Sequence, residues 1–270
     1  MKINIKQYCL KSDFRSFRNF GSLCSQYILC MIIFLFLTTA SYASEMVKTF
    51  ADGVESYKKD NYDEAISAFL KITDSGIKNS ALFYNLGNAY LRNNNLGHAI
   101  LWYERALKLT PNDPDLKFNY EYALSLLKDE KEDKTSPLLK ILFFWKDLFS
   151  EMTIRLIAIS LNIIFWLILT IQVIRKRIFF RTANYLIFIL TMIFTFTAFY
   201  NYYESQFIRE AIILPDKTSV RSGLSEDSTE LFLLHAGTKV KIEKENNGFV
   251  RIYFSEGKIG WIKKSEIGMI

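Results

Sequence analysis

The sequence predicts a multidomain membrane protein that combines an α-helical repeat domain, two transmembrane helices and a small all-β barrel. Three observations predict this class. Apolar residues are concentrated in runs near 27–43, 156–174 and 182–203. The segment between the first two runs repeats itself at an offset of 34 residues. The segment after the third run changes to short alternating apolar stretches, which are typical of strands.

The charge is also segregated, and its distribution argues against a nucleic-acid partner. The formal net charge is +6, but residues 1–43 and residues 175–181 each carry +4. The rest of the chain is therefore net acidic and lacks the basic surface that neutralises phosphates. All three cysteines precede residue 31, so the rest of the chain can form neither a disulfide framework nor a thiolate metal site.

The first apolar run predicts a signal peptide over residues 1–43. Basic residues precede the run, and Ser41-Tyr42-Ala43 places small residues at the two positions that a signal peptidase recognises. An uncleaved anchor is the alternative, because the basic region is long for a signal peptide. Both interpretations deliver residue 44 to the far side of the membrane.

The other two runs predict transmembrane helices at 156–174 and 182–203. They contain 19 and 22 residues without a charge, which is long enough to cross a bilayer as a helix. The loop between them, residues 175–181, carries four positive charges and is therefore predicted to be cytoplasmic. This topology places both flanking domains on the extracytoplasmic side of a bacterial inner membrane.

Residues 131–153 are predicted to form a linker that contains an interfacial helix from Pro137 to Thr153. Aromatic residues, including Trp145 and Tyr200, precede the first span and close the second. Such clusters are typical of the aromatic belts at membrane interfaces.

Residues 44–130 are predicted to form the helical repeat domain, with one copy at 46–79 and another at 80–113. The offset aligns Gly53 with Gly87, and small residues at such positions allow the two helices of a hairpin to approach closely. A helix over residues 114–129 is expected to cap the array. The second copy resembles a tetratricopeptide repeat, because the signature positions of that family are filled by Leu86, Gly87, Tyr90, Ala99, Tyr103, Ala106 and Pro111.

This resemblance implies a groove that binds a partner protein. In tetratricopeptide domains the first helix of each repeat lines a concave face, where Asn and basic side chains hold an extended peptide. The matching positions make five residues the candidates for partner binding: Tyr84, Asn85, Asn88, Arg92 and Asn119. The alternative is that these side chains are ordinary solvated residues, since the first copy carries no corresponding set.

Residues 211–270 are predicted to form a small barrel of five or six short strands separated by glycine-containing turns. Four segments look like those of a bacterial SH3 domain: Val220–Gly223, Leu231–Thr238, Asn247–Ile252 and Gly257–Ile262. The resemblance implies binding of cell-wall peptides or docking of another protein.

The sequence predicts no catalytic residue, no cofactor and no metal site. His98 and His235 fall in different domains and have no convergent ligands around them. Phosphate-binding loops, nucleophile elbows and His-Glu-x-x-His motifs are absent from the sequence. The spans contain Asn162 but no charge between their ends, unlike those of a typical transporter. We therefore expect a protein without enzymatic activity.

As a whole, the order of modules resembles the BatE proteins of the bacterial aerotolerance (Bat) operons. The runs Tyr84–Tyr90 and Ala99–Leu107 carry this resemblance. It implies an envelope complex with other Bat proteins, which carry von Willebrand factor A domains, and a part in oxidative-stress tolerance. The expected function is a scaffold that presents the groove and the SH3-like domain for complex assembly. The alternative is peptidoglycan sensing or binding through the SH3-like domain.

Overall fold

The computed structural model describes residues 45–129, 143–146, 148–175, 181–255 and 257–270. The predicted signal peptide, much of the predicted linker and the central residues of the predicted cytoplasmic loop lie outside the described residues. The chain divides into two compact units, Met1–Asp52 and Gly53–Ile270. In the first unit, the described residues 45–52 are helical.

The second unit begins with five short helices that form the repeat region. They are α1 (of which residues 53–58 belong to this unit), α2 (Tyr62–Asp74), α3 (Ser80–Arg92), α4 (Leu96–Leu109) and α5 (Pro114–Ser125). From α2 onward, each helix packs against the next one along the chain.

Capping side chains determine where three of these helices begin. Asn79 and Asn95 each accept a hydrogen bond from a backbone N–H in the first turn of α3 and α4, at 3.2 and 3.3 Å. Asp113 does the same for α5, and Pro114 occupies the first position of that helix, where a backbone N–H has no intrahelical partner. These caps satisfy donors that the helix itself leaves unpaired.

A glycine beneath an aromatic ring sets the spacing of the two helices in each repeat. A Cβ on Gly53 would lie 2.7 Å from the ring of Phe69, and Gly87 lies in the same way against the ring of Tyr103. Both rings are fully buried. The glycines therefore allow a close approach that any side chain would prevent.

Two long apolar helices follow, α6 (Glu151–Arg175) and α7 (Arg181–Phe207). Both are long and apolar enough to cross a membrane. They pack against each other, with Asn162 Nδ2 donating to Thr195 Oγ1 at 2.8 Å and the rings of Phe165 and Phe188 5.6 Å apart. Most of the other apolar side chains on these two helices are exposed.

The described residues just before α6 lie beside α7. Phe144–Lys146 form a single 3-10 turn, whereas the sequence predicts an interfacial helix that also includes residues outside the described ones. The Trp145 ring is 6.0 Å from that of Phe194, and Lys146 Nζ is 3.0 Å from a carboxylate oxygen of Glu204. These contacts place Trp145 and Lys146 along the half of α7 that leads to the sheet.

The unit ends in a seven-stranded antiparallel sheet with the strand order β3-β2-β6-β5-β4-β1-β7. Six strands coincide with the predicted alternating stretches, and the short β7 is additional. Closure of this sheet into a barrel remains a prediction. The strands are β1 (Arg209–Ile213), β2 (Lys217–Arg221), β3 (Glu230–His235), β4 (Lys239–Asn246), β5 (Phe249–Ser255), β6 (Lys258–Lys263) and β7 (Ile267–Met269).

Alternate residues of the strands form one apolar core. Ala211 and Ile213 of β1 belong to it, together with Val250 and Ile252 of β5. Ile212 points to the other face of β1 and is nevertheless fully buried. The α4 helix of the repeat region covers this second face, because it packs against β1.

Candidate partner-binding face of the helical repeat

Three of the five predicted partner-binding residues meet in one hydrogen-bond network. The Asn88 Oδ1 atom accepts from the Tyr103 hydroxyl at 2.6 Å and from Asn119 Nδ2 at 2.8 Å. Asn119 Nδ2 also donates to the Tyr84 hydroxyl at 2.9 Å. The network connects α3 to both α4 and α5, so it holds the repeat together on this face.

The amide oxygen at the centre of this network is already bonded within the chain. Burial raises the pKa of Tyr103, so its hydroxyl stays protonated and donates to Asn88 at neutral pH. A peptide backbone arriving at this face would have to compete with two existing bonds for the Asn88 oxygen. Breaking them would leave buried donors unsatisfied, which is costly.

The other two predicted residues lie apart from the network. Asn85 Nδ2 donates to the Ala81 carbonyl oxygen at 2.7 Å on its own helix. Arg92 is exposed at the end of α3, where a hydrogen bond with Tyr57 raises the pKa of its guanidinium. The assignment of all five residues to partner binding remains a prediction.

A row of exposed apolar residues on α5 lies next to this network, and the sequence analysis did not identify it. Phe118 and Tyr122 of α5 are 72% and 55% exposed. Leu126, which caps the C-terminal end of the helix, is 45% exposed, and we call these three residues the α5 stripe. Their spacing of four residues places them on one side of the helix. Asn119 adjoins Phe118 and reaches α3, so the stripe borders the polar network.

A comparison at the 34-residue offset could have revealed the stripe. The polar positions of α3 become apolar on α5: Tyr84 corresponds to Phe118, Asn88 to Tyr122, and Arg92 to Leu126. The α5 helix also buries Leu116 and Ala123 on its inner side. It therefore carries two apolar faces, although a terminal helix needs only one for packing.

The positions of α5 where a further repeat helix would pack are polar. On α3, Phe83 and Gly87 are buried against the aromatic rings of α4. Their counterparts on α5 are Lys117 and Glu121. Charged residues at these positions suit a solvent-facing end of the array. The α5 stripe is therefore distinct from the packing surface of another repeat.

The sheet packs against α4 and leaves the α5 stripe exposed. A Cβ on Gly97, near the start of α4, would lie 2.5 Å from the carbonyl oxygen of Leu214. A Cβ on Gly268 of β7 would lie 2.3 Å from the side chain of Leu101. Arg105 Nη2 donates to the Met269 carbonyl oxygen at 2.7 Å. The two glycines thus allow the repeat region and the sheet to approach closely, and Arg105 forms a hydrogen bond between them.

A charged cluster lies within this contact. Glu104 of α4 is only 9% exposed, and Lys239 Nζ lies 3.2 Å from it and 2.9 Å from Glu210. The Tyr120 hydroxyl donates to Glu104 at 2.5 Å. Burial alone would lower the pKa of Lys239, but the two carboxylates outweigh it and raise the pKa. Lys239 therefore stays charged and neutralises a carboxylate that would otherwise be buried alone.

Asp129 forms a second polar contact with the sheet. Its carboxylate accepts from the backbone N–H of His235 at 2.7 Å and from Thr238 Oγ1 at 2.7 Å, and lies 2.8 Å from His235 Nδ1. Burial alone would raise the pKa of Asp129, but these bonds lower it. The other histidine, His98, bonds to Asn95 at 2.8 Å. Among the described residues, no group of three or more potential ligands is arranged to hold a metal ion.

The match with known proteins falls on this same part of the chain. Residues 80–113 match the tetratricopeptide repeat family. No curated protein matches the chain. The matched segment contains α3 and α4, and it is a tetratricopeptide repeat, a structure that generally mediates interactions between proteins.

Proposed function

We propose that this chain is a membrane-anchored, non-enzymatic scaffold that binds a partner protein through the face formed by α3 and α5. One observation carries the proposal: the sheet docks on α4, while the α5 stripe beside α3 stays exposed. An apolar surface of this kind on a tetratricopeptide domain marks an interaction site.

The exposure of α6 and α7 supports membrane anchoring. Trp166 and Val173 of α6 are 63% and 76% exposed, and Phe199 of α7 is 66% exposed. Leaving such surface in water costs roughly 25 cal/mol per Å². Lipid would cover it, and a helix satisfies its own backbone hydrogen bonds inside a bilayer.

The contacts between the repeat and the sheet support a two-pass topology. Arg105 and Asp129 precede α6, and they bond to residues of the sheet that follows α7. In this proposal the repeat region and the sheet therefore occupy the same compartment, with an even number of membrane crossings between them. The two apolar helices supply two crossings. The positive charge of residues 175–181 favours the cytoplasm for the loop, and hence the extracytoplasmic side for both modules.

The order of modules supports a place in the bacterial envelope. In this proposal residues 1–43 direct export, the sheet is an SH3-like domain, and the partners are Bat-type proteins with von Willebrand factor A domains. The scaffold would then contribute to complexes of oxidative-stress tolerance, as its resemblance to the BatE proteins implies.

Copurification from detergent-solubilised membranes tests the scaffold role. We expect Tyr122→Lys in the full-length chain to reduce recovery of the partner at least tenfold, because it places a charge in an apolar contact. Ser67→Lys, the same change on the exposed side of α2, should leave recovery unchanged. Equal recovery with both variants would contradict the proposal. Sedimentation of the chain with purified cell-wall sacculi would favour the peptidoglycan-binding alternative instead.

A further inference from the structure

We infer that the element recognised by this scaffold is an amphipathic α-helix of the partner protein, which lies along the α5 stripe. The inference rests on the proposed function and specifies the ligand of the same face. It departs from the extended peptide that the resemblance to tetratricopeptide domains implies.

The spacing of the stripe matches a helical ligand. Phe118, Tyr122 and Leu126 follow each other at intervals of four residues, so they form a ridge about 12 Å long at 1.5 Å per residue. Ridges of this spacing fit between the side-chain rows of a second helix. A partner helix with apolar residues three or four positions apart would bury all three side chains.

The hydrogen bonding of the face also favours a helix. An extended peptide needs donors and acceptors for its backbone. On this face the Asn88 oxygen is occupied by Tyr103 and Asn119, and the Asn85 amide donates to its own helix. A helix satisfies its own backbone, so it requires only the apolar contact that the stripe provides.

Charges at the two ends of α5 specify the polar residues of the ligand. Asp115 is exposed at the N-terminal end of the stripe, and Lys128 is exposed beyond its C-terminal end. A complementary helix therefore carries a basic residue that faces Asp115 and an acidic residue that faces Lys128. These two charges favour one direction of the partner helix over the reverse.

Site-specific photo-crosslinking in intact cells tests the inference. A photoreactive phenylalanine analogue would replace Phe118, Tyr122 or, as the matched control on the same face, Asn85 in the full-length chain. We expect crosslinks from positions 118 and 122, and few from position 85. The crosslinked segment should have apolar residues three or four positions apart. A synthetic peptide of that segment should become helical on binding and lose at least tenfold in affinity for Tyr122→Lys.

Other outcomes would overturn the inference, and only some of them would leave the scaffold proposal intact. A proline-rich or strand-like segment, or crosslinks mainly from position 85, would show that the partner binds in another way. Crosslinks to lipid or to a second copy of this chain would assign the stripe to a different contact. Failure of the scaffold proposal itself would be recognised separately, as copurification that does not depend on Tyr122.

Discussion

Replacing Lys239 by methionine is expected to weaken the contact between the sheet and α4 by about 3 kcal/mol. The change leaves Glu104 buried without its cation, and removing one partner of a buried pair costs roughly 3–5 kcal/mol. We expect the low end because Lys239 keeps 29% side-chain exposure. Hydrogen exchange of the amides of α4 and β1, followed by mass spectrometry on the full-length chain, would measure the loss of protection.

Two comparisons make this prediction specific. Lys263 pairs with Glu226 on the surface of the same sheet, so Lys263→Met should have little effect on amide protection. Adding Glu104→Gln to Lys239→Met removes the unpaired charge and should restore part of the protection. If Lys239→Met behaved like Lys263→Met, the buried cluster would have no role in docking.

Gly97→Ala is expected to destabilise the same contact by about 2 kcal/mol, although alanine favours a helix over glycine by about 1 kcal/mol. The new Cβ would lie 2.5 Å from the carbonyl oxygen of Leu214, and backbone cannot rotate away as a side chain can. The opposite signs of the two effects make the substitution diagnostic. Amide exchange in α4 and β1 should become faster.

Gly97→Ala would have the opposite effect on amide exchange if α4 did not contact the sheet. In an isolated helical repeat the substitution would slow exchange within α4, because only helix propensity would act. Ser67→Ala, at an exposed position of α2, provides a reference for the effect of propensity in this protein. Slower exchange in both variants would mean that α4 does not contact the sheet.

The sequence was sufficient to locate the repeat because its signals are local and periodic. Small Gly87 and aromatic Tyr103 recur at fixed spacing, and in the structure the ring packs directly on the glycine. The apolar runs predicted the two long helices equally well, since α6 and α7 contain the two predicted spans completely. Alternation predicted five or six strands but not β7, which is three residues long and too short for a pattern.

The contacts between the repeat region and the sheet have no local or periodic signal in the sequence. Glu104 and Lys239 are 135 residues apart, and each resembles an ordinary surface charge when read along the chain. The same holds for Asp129, which follows the last repeat helix and bonds to a strand turn far downstream. Only the folded arrangement of α4 and the sheet makes these residues partners.

The α5 stripe was only partly predictable from the sequence. Its residues are apolar at helical spacing, which the sequence also shows for the buried face of the same helix. Helical spacing alone does not show that Phe118 is exposed, because burial depends on what lies above each side chain. The structure separates them, since Leu116 is 1% exposed and Phe118 is 72% exposed.

The most direct test of the central claim measures where three positions lie in the membrane. In a chain whose three native cysteines are replaced by serine, single cysteines at Ser67, Lys241 and Lys176 would be exposed to a membrane-impermeant maleimide in spheroplasts. A scaffold with both modules docked together outside the cytoplasm predicts labelling at 67 and 241, and labelling at 176 only after permeabilisation. Labelling of one module with protection of the other would contradict it, because the contact between α4 and the sheet requires both modules in one compartment.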